Sequence, residues 1–276
     1  MWGFLLRQIP RFRDMLSARL SLMPRAAAIL LAALSTPALA AQTSQPMPRD
    51  YRSPQVHIDG VWVTPVPGAP FTATVQIVSH NKLPDGTEHV VKTENQIARS
   101  SSGRIRNERR QLVPAIYAGQ PRLLSAHIYD PDSRVNIFTD TATRIARQTI
   151  LPQPLHTPAA QAPPAQQRKD PAVTETQLGE QTLDDIQLTG IRKTRIIPAD
   201  RSGTGDAVTI TDDYWYSAAL SIYLIIKHND PRTGEQLVAV THIQRGEPAE
   251  DLLRVPDDYK VVDETPPPPS VSATHQ

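Results

Sequence analysis

The chain has 276 residues, enough for one or two domains, and its 29 basic residues nearly cancel its 28 acidic ones, leaving a formal net charge of +1. That balance gives no whole-protein field to draw in nucleic acid or an anionic surface. Cysteine is absent, so disulfides, thiolate catalysis and cysteine zinc sites are excluded, and 27 prolines concentrate the 39% of hydrophobic residues into a limited set of segments.

Arg25 precedes an apolar run over 26–34, and Ala38-Leu39-Ala40 follows Pro37. A basic residue, a short apolar core and an Ala-x-Ala site read as a signal peptide over 1–40, cleaved after Ala40. The run is too short for a bilayer, which takes about 20 apolar residues. The expectation is handover to the export machinery and a periplasmic or secreted mature chain. Export without cysteine fits a bacterial periplasm better than a disulfide-dense secretome. Residues 41–55 are polar and proline-containing, a flexible leader.

Strand patterns then begin. Residues 56–63 are β-branched and alternating, and Pro65, Pro67, Gly68 and Pro70 interrupt them. Over 71–80, Phe71, Ala73, Val75 and Ile77 fall on one side and Thr72, Thr74 and Gln76 on the other, the mark of a half-buried strand. Leu83-Pro84-Asp85-Gly86 turns the chain into a second strand over 87–97, and Ser100 to Gly103 turns it into a third over 104–113. Strands over 123–129 and 134–139 flank a turn at Asp130-Pro131-Asp132-Ser133. Successive hairpins predict an antiparallel meander. This N-terminal β half, 56–150, gives way to a Pro/Ala/Gln-rich stretch over 151–172 without apolar periodicity, which predicts a disordered linker.

The C-terminal β half, 173–262, places strands over 191–197 and 207–213 around a glycine-containing turn at 198–206. Leu220, Ile222, Leu224 and Ile226 share one face of the next strand and Tyr223 and Ile225 the other, so a central strand covered on both sides is expected. A turn over 229–234 leads to a return strand over 235–243, with Ile226 beside Leu237 and with Arg232 a freely replaceable tip residue. Residues 263–276, with four successive prolines, read as a disordered tail. Neither half carries a long amphipathic helix. The predicted fold is mainly β with few helices, an antiparallel meander forming one curved sheet or half-barrel.

Chemistry-bearing patterns are sparse. The eight histidines show no HExxH or other metal spacing, so no metal site and no cofactor are expected. The pairs Asp184-Asp185, Asp212-Asp213 and Asp257-Asp258 are adjacent, and neighbours on a strand point to opposite faces, which disfavours a catalytic dyad. No catalytic residue is assigned. The run Arg104, Arg106, Arg109 and Arg110 could meet an anionic lipid or a partner, or could guard an edge strand with charge. Trp62, Tyr214, Trp215 and Tyr216 could line a ligand site, or could be core.

The stretches VTPVPGAPFTATVQI, LPDG, GRIRNERR, LTGIRKTRIIP and WYSAALSIYLIIKHNDPRTGEQLVAVTHIQRGEP, with LLRVPDDYKV, resemble a group of uncharacterised secreted bacterial proteins of acidobacterial type. More remotely, the meander ending in a Pro-Asp-x-Tyr close looks like the curved-sheet fold of periplasmic lipoprotein carriers and of the sigma-factor regulator that senses lipoprotein. That resemblance implies a curved sheet with helices packed inside it. It also implies an exported, non-enzymatic binding protein of the bacterial envelope, whose partner is a hydrophobic ligand such as a lipid or acyl group, or an envelope protein. Two alternatives stay open: a periplasmic hydrolase, and a structural or interaction protein without a pocket.

Overall fold

The structure is a computed structural model that describes residues 60–153 and 172–267. The signal peptide over 1–40, the leader over 41–55, most of the linker and the end of the tail lie outside the described residues. In chain order the strands are β1 (Phe71–Lys82), β2 (Glu88–Arg99), β3 (Ile105–Arg110), β4 (Val113–Pro114), β5 (Leu123–Tyr129), β6 (Val135–Asp140) and β7 (Ile145–Ile150). After the linker come β8 (Val173–Leu183), β9 (Ile186–Ile197), the single turn of helix α1 (Ala199–Ser202), β10 (Val208–Ser217), β11 (Ile222–Asp230), β12 (Gly234–Arg245) and β13 (Lys260–Asp263).

All thirteen strands belong to one curved, unclosed sheet, ordered β13-β7-β6-β5-β3-β2-β1-β12-β11-β10-β9-β8, with β4 pairing β2 to the side. Every pairing is antiparallel except that of β13 with β7. The halves before and after the linker meet where β1 pairs with β12. Helices of the kind that pack inside carrier sheets are not found among the described residues, where α1 and a 3-10 turn at Glu250–Leu253 are the helical elements. None is long and apolar enough to cross a membrane.

Alternation decides which face is covered. Phe71, Ala73, Val75 and Ile77 of β1 are buried on one face, called inner below, and Ile222, Leu224 and Ile226 of β11 and Val238 and Val240 of β12 join them in one apolar cluster. The expected strand over 56–63 is a different object: residues 60–66 belong to no strand. Val61 and Val63 nevertheless enter the inner-face cluster while Trp62 is exposed. The Val63 N–H donates to Asn107 Oδ1 at 2.9 Å, which ties this segment to β3.

Several expectations need correction. The outer side of β11 is not covered: Tyr223 is exposed and Ile225 half-buried, so β11 is central in the sheet but closed on one face only. The predicted register of the β11–β12 hairpin is one residue off. Asp230 still pairs with Gly234, so Ile226 lies opposite Val238 rather than Leu237. Gly234 is obligatory at this corner, because it sits at φ 117° with the His80 carbonyl oxygen 1.8 Å from where a Cβ would be. β7 and β8 carried too weak an apolar signal to be anticipated. β8 is an edge strand with mostly exposed side chains, held by its ladder to β9. Their connection explains the pair Asp184-Asp185: both have positive φ (46° and 63°), as the two-residue turn of a tight hairpin requires. The start of the expected tail is also structured. Asp263 ends β13, Glu264 N–H donates to the Gln148 carbonyl, and Ile150 N–H donates to Thr265 Oγ1.

Arg232 is not a free tip residue. Its Nη2 lies 2.8 Å from Asp230 Oδ2, and Nη1 donates to the Ser202 carbonyl at 3.2 Å. The Arg232 guanidinium holds the buried Asp230 carboxyl below its ordinary value of 3.8. A depressed carboxylate contributes stability above the unfolded pKa and loses it as pH falls through the folded one. Arg232→Ala should therefore lower the urea midpoint at pH 7, and the midpoints of variant and parent should converge in acid below pH 3.8. Midpoints equal at pH 7 would show that the pair contributes nothing.

Candidate functional site

The inner face of β3, β5 and β6 holds the most chemically distinct recess. The ladder sets Asn107 opposite His127, and His127 opposite Phe138, so these three form one row across three strands. Arg109 and Ser125 stand in the row beyond. The crossing segment lays Trp62 over them, its ring 5.4 Å from that of His127 in an edge-to-face contact, while His127 stacks on Phe138 at 4.5 Å. Trp62 is 60% exposed and Phe138 48%, so the aromatic walls open to solvent. The recess they define has a volume of about 390 Å³.

Its floor is polar. His127 Nε2 lies 2.7 Å from Asn136 Oδ1, so Nε2 carries the proton and Nδ1 is left as an acceptor. Burial pushes the His127 pKa below its ordinary value of 6.5, against the opposing pull of the Asn136 bond, which keeps the ring neutral at pH 7. Nδ1 is buried and has no hydrogen-bond partner. Asn107, 6% exposed, spends its Oδ1 on Val63, and its Nδ2 is likewise buried and unpartnered. Both atoms are closed off from solvent, so the surface that the recess offers is the aromatic pair Trp62 and Phe138 with Arg109 and Ser125 beside it.

The four aromatics singled out in the sequence do not form one site. Trp62 belongs to the recess just described. Trp215 is buried in the core over Gly190, where an added Cβ would stand 2.5 Å from the indole. Tyr214 and Tyr216 cluster with Tyr223, at ring distances of 5.6 and 5.3 Å. Burial, then the charge of Asp212, raises the Tyr214 phenol above its ordinary value.

The basic run is not a free patch. β3 lies between β2 and β5, so it is not an edge. Arg106 and Arg110 both grip Glu108, at 3.0 and 2.8 Å, with all three side chains largely buried. Arg104 donates to the Leu253 carbonyl at 3.0 Å. Arg109 is exposed at the recess. The spacing Arg106-x-Glu108-x-Arg110 could have shown this, since residues two apart share a face of a strand. His127, Asn107 and Phe138 had no such signal, because only the pairing of β3, β5 and β6 assembles them.

Asp212 and Asp213 do diverge: Asp212 Oδ1 meets His228 Nδ1 at 2.6 Å, whereas Asp213 binds Arg192 at 2.6 Å through both oxygens. His228 is buried in this contact. Among the described residues no three His, Asp or Glu side chains gather where they could hold a metal.

No protein-family model matches the chain, and no curated protein matches it. Solved structures with a similar arrangement include a conserved protein of Thermus thermophilus, at 14% identity and a TM-score of 0.37, covering 70% of this chain and 90% of that one. MucB of Pseudomonas aeruginosa in its complex with MucA gives 14% identity and a TM-score of 0.36, covering 70% of this chain and 58% of that one. A LolA superfamily protein of Nitrosomonas europaea gives 13% identity and a TM-score of 0.27, covering 68% and 91%. This chain therefore spans little more than half of MucB. At these values the likenesses assign no function.

Proposed function

We propose that this chain is a non-enzymatic binding protein of the bacterial envelope and that the recess beneath Trp62 is its ligand site. The observation that carries the reading is a recess with two exposed aromatic walls, Trp62 and Phe138, whose lining also includes the polar residues Asn107, Arg109, Ser125 and His127. Small-ligand sites combine those features: mostly apolar surface with a few convergent polar groups. The volume of about 390 Å³ lies in the usual range of roughly 300–1,000 Å³. Export is supported by the pattern from Arg25 to Ala40. A long acyl groove along β11 and β12 has less support, because Leu224, Val238 and Val240 are already sealed within the core. The apolar contact offered to a ligand is the indole and phenyl pair. A hydrolase would gather an acid–base group in its pocket, whereas among the described residues His228, paired with Asp212, is buried and the exposed pair of His80 with Glu88 lies outside the recess.

The test is titration with the apolar dye ANS, followed by tryptophan emission. The parent should bind with saturable emission, and Trp62→Ala should weaken binding at least about tenfold, the loss expected of about 1.4 kcal/mol of contact. Its urea midpoint should stay close to the parent's, since exposed side chains contribute little to stability. Unchanged dye affinity in Trp62→Ala would overturn the assignment.

A further inference from the structure

We infer that the recess beneath Trp62 takes a small aromatic anion, its ring against Trp62 and Phe138 and its carboxylate or sulfonate turned toward Arg109 and Arg122. The inference rests on the ligand-site reading above and adds the charge and shape of the ligand.

The recess does not end at the aromatic row. A second cavity, of about 400 Å³, adjoins it, and the two share Arg109 and Ser125 as lining. Register explains the join. Arg109 lies opposite Ser125 and Ser125 opposite Asp140, in the row two residues along from Asn107, His127 and Phe138. A rise of about 3.3 Å per residue sets the two rows about 7 Å apart, within the span of one fused ring system and its substituent. A ligand seated on the aromatic row therefore has its far end in the Arg109 row. Arg122, exposed like Arg109, lines the second cavity.

The charges that line this trough decide the sign of that end. Arg109 and Arg122 are its cations. Glu108 is in the lining, but Arg106 and Arg110 both hold it, at 3.0 and 2.8 Å. Asp140 is the remaining acid, at the β6 end of the row, and its Oδ1 accepts from the Ala142 and Thr143 N–H groups at 2.8 and 3.4 Å. Its charge opposes an anion on the β6 side and leaves the β3 side, at Arg109, as the place for one. A guanidinium presents a planar fork of N–H donors that matches an acceptor-only head such as a carboxylate. An ammonium would face two guanidiniums, and a neutral body would gain the aromatic contact alone. The walls decide the shape. Trp62 and Phe138 offer flat exposed faces, which suit a planar ring better than a flexible chain.

The experiment compares ANS with N-phenyl-1-naphthylamine, the same ring system without the sulfonate. The neutral dye is the more apolar, so a preference for ANS reports the charge. The parent should bind ANS the more tightly, by about tenfold, a contribution of about 1.4 kcal/mol. That preference should shrink as salt rises from roughly 0.1 M to roughly 1 M, where the screening length falls from about 10 Å to about 3 Å. Arg122→Gln should weaken ANS alone, and Arg109→Gln combined with Arg122→Gln should abolish the preference, whereas Trp62→Ala should weaken both dyes. Arg122 is exposed, so its variant should keep the parent's urea midpoint. As competitors, 2-naphthoate should displace ANS at lower concentration than dodecanoate, an anion without a ring. If the two dyes bind alike, or if the preference survives in the double variant, the anion assignment falls and the ligand site stands. Dodecanoate competing as well as 2-naphthoate would overturn the aromatic assignment in the same way. If Trp62→Ala changes neither dye, the ligand-site reading falls as well.

Discussion

Leu224→Ala should destabilise the protein by about 3 kcal/mol, within the 2–5 kcal/mol typical of a leucine truncated in a closed core. Leu224 is 0% exposed and lies near the start of β11, in one cluster with Ile222, Ile226, Val238 and Val240. The site has little means of collapsing. Leu224 is the bulged residue of β11 against β10, between the pairs Tyr223–Tyr216 and Ile225–Trp215, and stands one residue beyond the ladder to β12, so what encloses it is the sealed side chains of Ile222, Val238 and Val240. A cavity therefore remains and its cost adds to the lost burial. An ordinary domain has only about 5–15 kcal/mol to lose. Ile116→Ala is the control, since Ile116 is 94% exposed and its loss should move stability by less than about 0.5 kcal/mol. Urea melts of the two variants decide the matter. Equal midpoints would mean that the inner face of β11 is not core.

The strands that were legible in the sequence are those with one sealed face. β1, β5 and β11 alternate because burial on one side selects apolar residues at every second position. β8 was not picked out within the C-terminal β half because it lies at the edge with little to bury, and Glu175, Gln177 and Glu180 leave no apolar alternation to read. β12 was placed in the chain but not in register, because the corner at Gly234 is set by its approach to His80, a contact across to β1 that local pattern does not encode. The site was half legible for the same reason. Trp62 announced itself as an aromatic in an alternating segment. Its neighbours His127 and Phe138 come from strands more than sixty residues later in the chain, and grouping Trp62 with Tyr214 and Tyr216 used composition where only register could decide.

Arg99→Ala should be the more damaging change, costing at least about 4 kcal/mol, because Arg99 knits together segments that no strand pairing joins. It ends β2 opposite Phe71, is 0% exposed, and its guanidinium carbon lies 5.0 Å from the centre of the Phe71 ring. Its partners are three backbone carbonyls. Nε donates to Ala69 at 2.9 Å, Nη1 to Thr64 at 3.0 Å and Nη2 to Leu220 at 2.8 Å. Thr64 and Ala69 belong to the segment that carries Trp62 across the inner face, and Leu220 to the turn between β10 and β11. Burial lowers the Arg99 pKa from its ordinary value, yet a guanidinium stays charged at any working pH. Hydrogen bonds from a charged donor contribute about 1.5–3 kcal/mol each, and deleting the donor leaves three carbonyls without it. Arg99→Lys should recover only part of the loss, since one ammonium on a flexible stem cannot hold the planar fork that reaches three acceptors. Arg99→Met separates the causes: it keeps much of the volume and supplies no donor. If Met is nearly as stable as Arg, the bonds contribute little and packing against Phe71 is what matters. If Met melts close to Ala, the three carbonyl bonds hold the inner face. In that case ANS binding should weaken in Arg99→Lys even under conditions where it stays folded, because the segment presenting Trp62 is anchored at Thr64 and Ala69 by the same side chain.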